Sequence, residues 1–224
     1  MKSEELYDLF RTDIVDSVQP YLWTDTEVWL YMNDAYVRFV RLIGGVTDKL
    51  EVPIITDEAE ATVSPAILKF LDIRLSDSKQ VTVINYTDMP LSPYLDYNNI
   101  KTLYLNPRPG PVEYMIVGDR GMASGKVTWV QTPQVDDTAT MFVYRLPLVQ
   151  IVGEGQEFSD IGQEHHEALM LWMKHRAYGK HDAETFDKSK SEDYKQEFID
   201  YCGAAKAEWE RYKTKVRVVA YGGL

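Results

Sequence analysis

An unbroken run of six apolar residues, Ala168–Met173, is the strongest hydrophobic signal in the chain. Six such residues in a row cover nearly the whole circumference of a helix, so more than one face must be buried. The run is too short to cross a membrane, which takes about 20 apolar residues. Asp160 with Gln163 predicts an N-cap and its capping-box partner, and Gly179 a C-terminal stop. The pattern therefore predicts a central helix over residues 160–178.

Helical spacing also predicts two helices at the start of the chain. In the first, Ser3 is the predicted N-cap and Pro20 the stop, and the apolar stripe consists of Leu6, Leu9, Phe10 and Ile14. The second has a capping box of Thr24 with Glu27 and a hydrophobic staple of Trp23 with Val28. Gly44-Gly45 predicts its end.

A last helix is predicted from about Asp187 to Lys213. Its apolar positions follow one stripe with Tyr201 beside it: Tyr194, Phe198, Cys202, Ala205, Trp209 and Tyr212. Cys202 on this stripe is best explained as a small core residue. We expect the helices of both chain ends to form one bundle around the central helix.

Between about Glu51 and Gly155 the pattern is typical of short strands separated by turn residues. The predicted strands are Ile67–Leu75, Val81–Tyr86, Lys101–Leu105, Val112–Val117, Lys126–Gln131 and Thr138–Arg145. Thr87–Asn99, with two prolines, is predicted to be a surface loop. The fold class is therefore α+β: a helical bundle from both chain ends with an inserted antiparallel β sandwich or barrel. The predicted domains are 1–50, 51–157 and 158–214, followed by a C-terminal arm at 215–224.

Charge and cysteine content narrow the function classes. A net charge of −11 over 224 residues argues against a generally basic nucleic-acid-binding surface. The single cysteine cannot form an internal disulfide, which fits a reducing compartment. The first five residues lack the apolar region of a signal peptide. We expect a protein made and used in the cytosol.

Two stretches suggest catalytic chemistry, and both depart from the motif they suggest. His165-His166-Glu167 is close to a zinc-protease helix, but Met170 stands where HExxH requires its second histidine. A metal-assisted hydrolase using His165, His166 and Glu164 or Glu167 stays an alternative. Gly121–Lys126 differs from a phosphate-binding loop in its glycine spacing, so we interpret it as a glycine-rich turn. We predict no catalytic residue, no cofactor and no metal.

The order of elements resembles the head-to-tail connector (portal adaptor) proteins of tailed bacteriophages. The resemblance covers both helical ends and the edges of the β-rich region. The residues that carry it are Leu22-Trp23-Thr24-Asp25, Asn33-Asp34-Ala35, Arg145-Leu146-Pro147, His165–Leu169, Trp172–Tyr178, Asp182, Glu184, Phe186, Asp187, Tyr194 and Phe198.

This resemblance implies a structural, non-enzymatic protein of the virion, in the neck between head and tail and assembled in the host cytoplasm. Such an adaptor forms a ring of copies, twelvefold like the portal protein above it. It extends the DNA channel used in genome ejection and offers a platform for tail (nozzle, tube or fibre) proteins. We expect DNA to pass without specific binding and no contact with a membrane. A stopper or tail-completion protein of the same virion is the other alternative.

The end of the chain is the predicted portal-binding region. Its residues are Lys213, Lys215, Val216, Arg217, Val218, Val219 and Tyr221, a basic and β-forming stretch in an otherwise acidic chain. We expect the arm to be loose in the free monomer and to add as a strand to a sheet edge of the portal. A final strand of the protein's own β domain is the alternative.

Overall fold

The computed structural model describes residues 1–88, 100, 103–118, 125–181 and 185–213, and its elements make an α+β fold. The chain divides into two compact units. The helical unit contains residues up to Gly45 and those from Pro147 onward, and the β-rich unit is Val46–Leu146. The four-part division at residues 50, 157 and 214 stays a prediction.

Helix α2, Asp25–Ile43, forms where its local signals predict. Thr24 accepts a hydrogen bond from the Glu27 backbone N–H at 3.3 Å, and the Glu27 carboxylate accepts one from the Thr24 N–H at 2.9 Å. The staple residues Trp23 and Val28 are both buried. The helix ends at Gly44, whose φ of 101° only glycine adopts without strain. Every predicted terminal feature of this helix is confirmed.

Helix α1, Ser3–Asp13, differs from the prediction at both ends. Lys2 is the N-cap, and Ser3 is the first helical residue and is fully buried. Ser3 donates its hydroxyl to the Gly153 carbonyl at 2.8 Å, so a tertiary contact takes the group that a cap would need. The helix ends at Asp13 rather than at Pro20, because the backbone turns at Val15 into the left-handed region.

The predicted central helix is only half as long as its pattern suggests. Helix α3 is Leu169–Tyr178, and a separate 3-10 turn, Gln163–His165, precedes it. Asp160 is not an N-cap. The Asp160 carboxylate accepts a hydrogen bond from the Tyr36 hydroxyl at 3.0 Å, and the Asp160 N–H donates to the Tyr36 hydroxyl oxygen at 3.1 Å. The apolar run does bury more than one face, because α3 packs against both α2 and the last helix.

Helix α4, Lys188–Lys213, matches the predicted last helix. Phe198 and Cys202 of its stripe are buried in the helical unit. Phe198 lies 5.2 Å from the Trp172 ring and 6.4 Å from Phe39, measured between ring centroids. From Gly203 to Arg211 the side chains are exposed or half-buried, and Trp209 is 39% exposed. Among its members up to Arg211, the stripe is therefore a core stripe only in the first half of the helix.

The first sheet of the β-rich unit has the order β1-β7-β3 and is antiparallel. Its strands are β1 Val46–Ile54, β3 Ile67–Arg74 and β7 Asp137–Arg145. β1 and β7 pair without interruption, whereas β3 has two irregularities, at Leu68 and at Leu71. Extra residues of this kind are common on edge strands.

The second sheet has the order β2-β6-β5-β4 and is mixed. Its strands are β2 Glu60–Thr62, β4 Thr82–Asn85, β5 Tyr114–Val117 and β6 Lys126–Trp129. β4 pairs parallel to β5, so the prediction of an entirely antiparallel domain is wrong. The prediction of a closed barrel is also wrong, because the strands form two open sheets. Buried side chains of both sheets share one cluster that contains Ile73, Met115, Trp129 and Met141.

Several sequence boundaries need correction. The structure adds β1, which starts at Val46, and β2, because their charged residues hide the strand period. The predicted strand Lys101–Leu105 is wrong at its described residues, since 103–105 are helical. Residues 89–99 of the predicted loop and 121–124 of the predicted glycine-rich turn lie outside the described residues. Among the described helices, none is both long and apolar enough to cross a membrane.

Candidate functional site

The predicted portal-binding residues belong almost entirely to the part of the chain that the structure does not describe. Residues 214–224 lie outside it, which includes Lys215, Val216, Arg217, Val218, Val219 and Tyr221. Lys213 is the last residue of helix α4. The portal-binding role of these residues stays a prediction.

The histidine-bearing segment does not form a metal site in the described chain. His165 Nδ1 lies 3.0 Å from the Tyr201 hydroxyl, whereas His166 is buried with Nε2 3.3 Å from the Ile161 carbonyl. Glu164 lies 3.8 Å from His165 Nε2, which is a long contact for an ion pair. Within the described ranges, no group of three histidine, cysteine or acidic side chains could hold a metal ion. The two neighbouring rings therefore serve different packing contacts.

A serine–histidine contact joins helices α3 and α4. Ser191 Oγ lies 3.0 Å from His175 Nδ1, the distance expected of a nucleophile and its base. The same hydroxyl donates to the His175 carbonyl at 2.9 Å, and Ser191 is buried, so it has no access to a substrate. A Cβ at Gly179 would lie 3.1 Å from this hydroxyl and 2.9 Å from the carbonyl. The contacts of Ser191 with His175, beside Gly179, close the turn between helices α3 and α4.

The N-terminal end of α1 anchors the loop of residues 147–158. The Ser3 N–H donates to the Gln156 carbonyl at 2.9 Å, and the Gln156 N–H donates to Ser3 Oγ at 3.1 Å. The Gln156 side-chain oxygen accepts from the Val152 and Gly153 N–H groups at 2.6 and 3.1 Å. Ile151 is buried and donates its N–H to Asn33 Oδ1 at 2.9 Å. These bonds fix the loop, while Leu148, Val149 and Val152 are exposed.

The C-terminal end of α1 anchors a second loop through Arg11 and Asp16, both buried. Arg11 pairs with Asp16 and also donates to the Trp23 carbonyl and to Asp25 Oδ1, each at 2.7 Å. Its guanidinium lies 4.1 Å from the centre of the Tyr21 ring. Asp16 accepts from the Leu22 N–H at 2.8 Å. A residue at each end of α1 therefore holds a loop in place through buried polar contacts.

The electrostatics of this second group follow from its burial. Burial and the hydrogen bond to the Asp25 carboxylate together raise the pKa of Tyr7 to about 12. Burial by itself would lower the pKa of Arg11. Its contacts with Tyr7 and Asp16 outweigh burial, and the net shift is upward. Arg11 therefore keeps its positive charge, which its carboxylate partners require.

Two clefts open beside these loops. One, of about 610 Å³, is lined by Gln19, Pro20, Tyr21, Thr24 and Asp25 and adjoins the loop held by Arg11. The other, of about 270 Å³, lies around the start of α1 and is lined in part by Lys2, Phe158 and His166. The sequence prediction missed both loops, because the contacts that hold them join residues distant in sequence. Exposed valines between polar residues were the one local signal, and single exposed apolar residues are common.

Comparison with known proteins identifies the family of the chain. No curated protein matches the chain. The family model described as "SU10 adaptor protein" matches residues 1–219. Because that match spans nearly the whole sequence, the chain belongs to the SU10 adaptor protein family, a family of phage head-to-tail adaptors.

Proposed function

We propose that copies of this chain form the adaptor ring that attaches to the portal protein in the neck of a phage virion. Copies of the chain, twelve where the portal is twelvefold, extend the DNA channel below the portal and present a platform for tail proteins. The observation that carries the proposal is the family match over residues 1–219. The helical bundle built from both chain ends is the rigid body of each copy, and the inserted β sandwich is its second domain. Assembly takes place in the host cytoplasm.

Electron microscopy of the purified chain mixed with a portal ring tests this proposal directly. We expect a second ring, coaxial with the portal and on the side from which DNA leaves. Portal particles without any added density would refute portal attachment. Density at the portal with a copy number other than twelve would refute only the predicted symmetry.

The attachment region is proposed to be the arm that starts after Thr214. Ordering it costs ~1–2 kcal/mol of conformational entropy per residue, so several contacts must hold it at once. A chain truncated after Thr214 should keep its thermal midpoint and lose portal attachment. A matched full-length variant with Lys215→Gln and Arg217→Gln separates charge from strand formation. Normal attachment of the truncated chain would place the portal contact elsewhere, and loss of its fold would make the arm a strand of the protein's own domain.

The proposed channel passes DNA without binding it. The chain carries a net charge of −11, and acidic side chains that face the lumen would repel phosphate groups. We expect no measurable affinity for duplex DNA at physiological salt. Tight binding that weakens steeply as salt is added, the mark of counterion release, would contradict this role.

The proposed adaptor works without catalysis and without a bound metal. In support, the Ser191 hydroxyl bonds a helix carbonyl and His165 bonds Tyr201. Elemental analysis of the purified protein should find no stoichiometric Zn²⁺ or Mn²⁺. One equivalent of either metal, retained through dialysis against a chelator, would favour the metal-assisted hydrolase instead.

A further inference from the structure

Two loops of the helical unit expose aliphatic side chains, one at each end of helix α1. Ser3 and Arg11, which anchor them, are eight residues apart, about 12 Å along the helix axis. The 15–22 surface consists of Val15, Val18 and Leu22, with the first two 86% and 78% exposed. The 148–152 surface consists of Leu148, Val149 and Val152, and Val152 is 67% exposed. Each group places three aliphatic side chains within eight residues of sequence.

The exposed conformation of both loops is fixed by buried polar contacts. Asp16 reaches the Leu22 N–H only because the chain reverses at Val15, whose φ of 59° is unfavourable for a β-branched residue. Gln156 fixes the other loop through three backbone groups of residues 150–153. Surfaces that are already ordered lose little conformational entropy when a partner binds. Both loops therefore have the preorganisation expected of contact surfaces.

Neither loop sequence carries an exposed charged residue of its own, in a chain that is otherwise strongly acidic. Residues 146–153 contain no charged side chain, and residues 14–24 contain only Asp16, which is buried against Arg11. Copies of a chain with a net charge of −11 repel one another. Surfaces without charge are therefore the places where two copies meet at the smallest electrostatic cost. The partner that this charge pattern fits best is a second copy of the chain.

The two surfaces are distinct, because they lie on different loops that are held by different side chains. Val152 is exposed on a loop that the Gln156 side chain closes. A ring requires a head-to-tail interface between two different surfaces of each copy, whereas a two-fold dimer uses one surface twice.

We propose that the 15–22 surface of one copy binds the 148–152 surface of the next, and that repetition of this contact closes the adaptor ring. The inference deepens the proposed function, on whose ring of copies it rests. The partner is another copy of this chain, and the contact is apolar at its centre. Acidic residues elsewhere stay in solvent.

Complementation between two variants tests a head-to-tail contact directly. Val18→Asp blocks the first surface and Val152→Asp the second, because each places a carboxylate in an apolar contact. Wild-type protein should form larger species in sedimentation velocity as its concentration rises, and each variant alone should sediment as the 25.8 kDa monomer. An equimolar mixture should form a species of twice that mass and nothing larger, since one intact surface of each variant remains.

Val135→Asp is the matched control, because Val135 is 74% exposed but lies in the β-rich unit. This variant should assemble as the wild type does, and all three variants should keep the wild-type thermal midpoint. Wild-type protein that stays monomeric at every concentration would overturn the proposal. So would a Val18→Asp or Val152→Asp variant that assembles normally, or a mixture that stays monomeric.

Portal attachment separates this inference from the proposed function. If the two variants complement each other but wild-type protein never binds a portal ring, the portal role fails and the contact between copies stands. If the two variants form complete rings on the portal as efficiently as the wild type, the contact fails and the portal role stands.

Discussion

The interactions that stabilise the interior of each unit differ in kind. In the β-rich unit, backbone hydrogen bonds connect the strands, and β1 pairs with β7 along its full nine residues. In the helical unit, side-chain bonds connect elements far apart in sequence. Examples are Trp172 Nε1 to Asp34 at 2.8 Å, Trp23 Nε1 to the Ala177 carbonyl at 3.1 Å, and Lys180 to Glu27 at 2.8 Å. Individual side chains should therefore matter more for cohesion in the helical unit.

The largest effect is expected from Trp172→Ala. Trp172 is 7% exposed, packs against Phe198 and bonds Asp34. The substitution should lower the free energy of unfolding by about 3–5 kcal/mol, measured by chemical denaturation. Trp209→Ala, on the exposed half of α4, is the control and should cost less than about 1 kcal/mol. An unchanged midpoint for Trp172→Ala would remove this side chain from the core.

Asp16→Ala should come next, at about 3 kcal/mol, because it leaves the buried Arg11 guanidinium without its buried partner. The double variant Arg11→Met with Asp16→Leu should recover part of the loss. Asp48→Ala is the comparison in the β-rich unit. Asp48 pairs with Arg145 but is 29% exposed, so its loss should cost only about 1 kcal/mol. Equal costs at the two sites would remove the contrast between the units.

A pair of conservative substitutions isolates the polar part of the difference. Trp172→Phe removes the bond to Asp34 and should cost about 1–2 kcal/mol more than Trp129→Phe. Trp129, in the β-rich unit, is 1% exposed against 7% for Trp172, but its N–H is buried without a hydrogen-bond partner in the described chain. Losing that N–H relieves an unsatisfied donor, which offsets part of the lost packing. Both variants are measured by the same denaturation assay.

The smallest effect concerns mild acid and should be confined to the helical unit, which contains all four histidines. Burial lowers the pKa of His166 and of His175 below the ordinary 6.5. The unfolded chain then binds protons more readily than the folded chain. Their contribution to stability is complete above pH 6.5 and is lost as pH falls through the folded pKa values.

Hydrogen exchange at pH 7 and pH 5.5, corrected for intrinsic rates, is the measurement for this effect. Peptides of α3 should lose protection at the lower pH, whereas peptides of β7 should not. The buried carboxylate pairs do not account for this change, because carboxylates are protonated at lower pH. Equal loss of protection in both units would show that the histidines are not its source.

The sequence predicts an element well where the signals are local. Helix α2 is determined by contacts within four residues at each end, from the Thr24–Glu27 box to Gly44. Asp160 and Gln163 have the same pattern, yet only a 3-10 turn follows them and the α-helix starts at Leu169. The hydroxyl of Tyr36, distant in sequence, binds the Asp160 carboxylate and competes with capping. Capping patterns are therefore reliable only when no distant group takes the side chain.

The candidate contact surfaces show the same limit more strongly. Arg11 and Asp16 are ordinary surface residue types, and nothing near them in sequence indicates that they are buried together. Their burial depends on Trp23, Asp25 and Tyr21, which come together only when α1 packs against α2. The resemblance to phage adaptors was visible from the sequence and is confirmed by the family match. The loops that α1 anchors required the three-dimensional structure.

During synthesis on the ribosome, the core of the helical unit can form only at a late stage, because it needs both ends of the chain. Helix α2 is complete at Ile43, but its partner Phe198 is added 155 residues later. At about 5–20 residues per second, that interval is roughly 8–30 s. During this time Met32, Phe39 and Val40, all buried in the finished protein, have no core to enter. Nascent chains of this protein should therefore be clients of ribosome-associated chaperones until the last helix emerges.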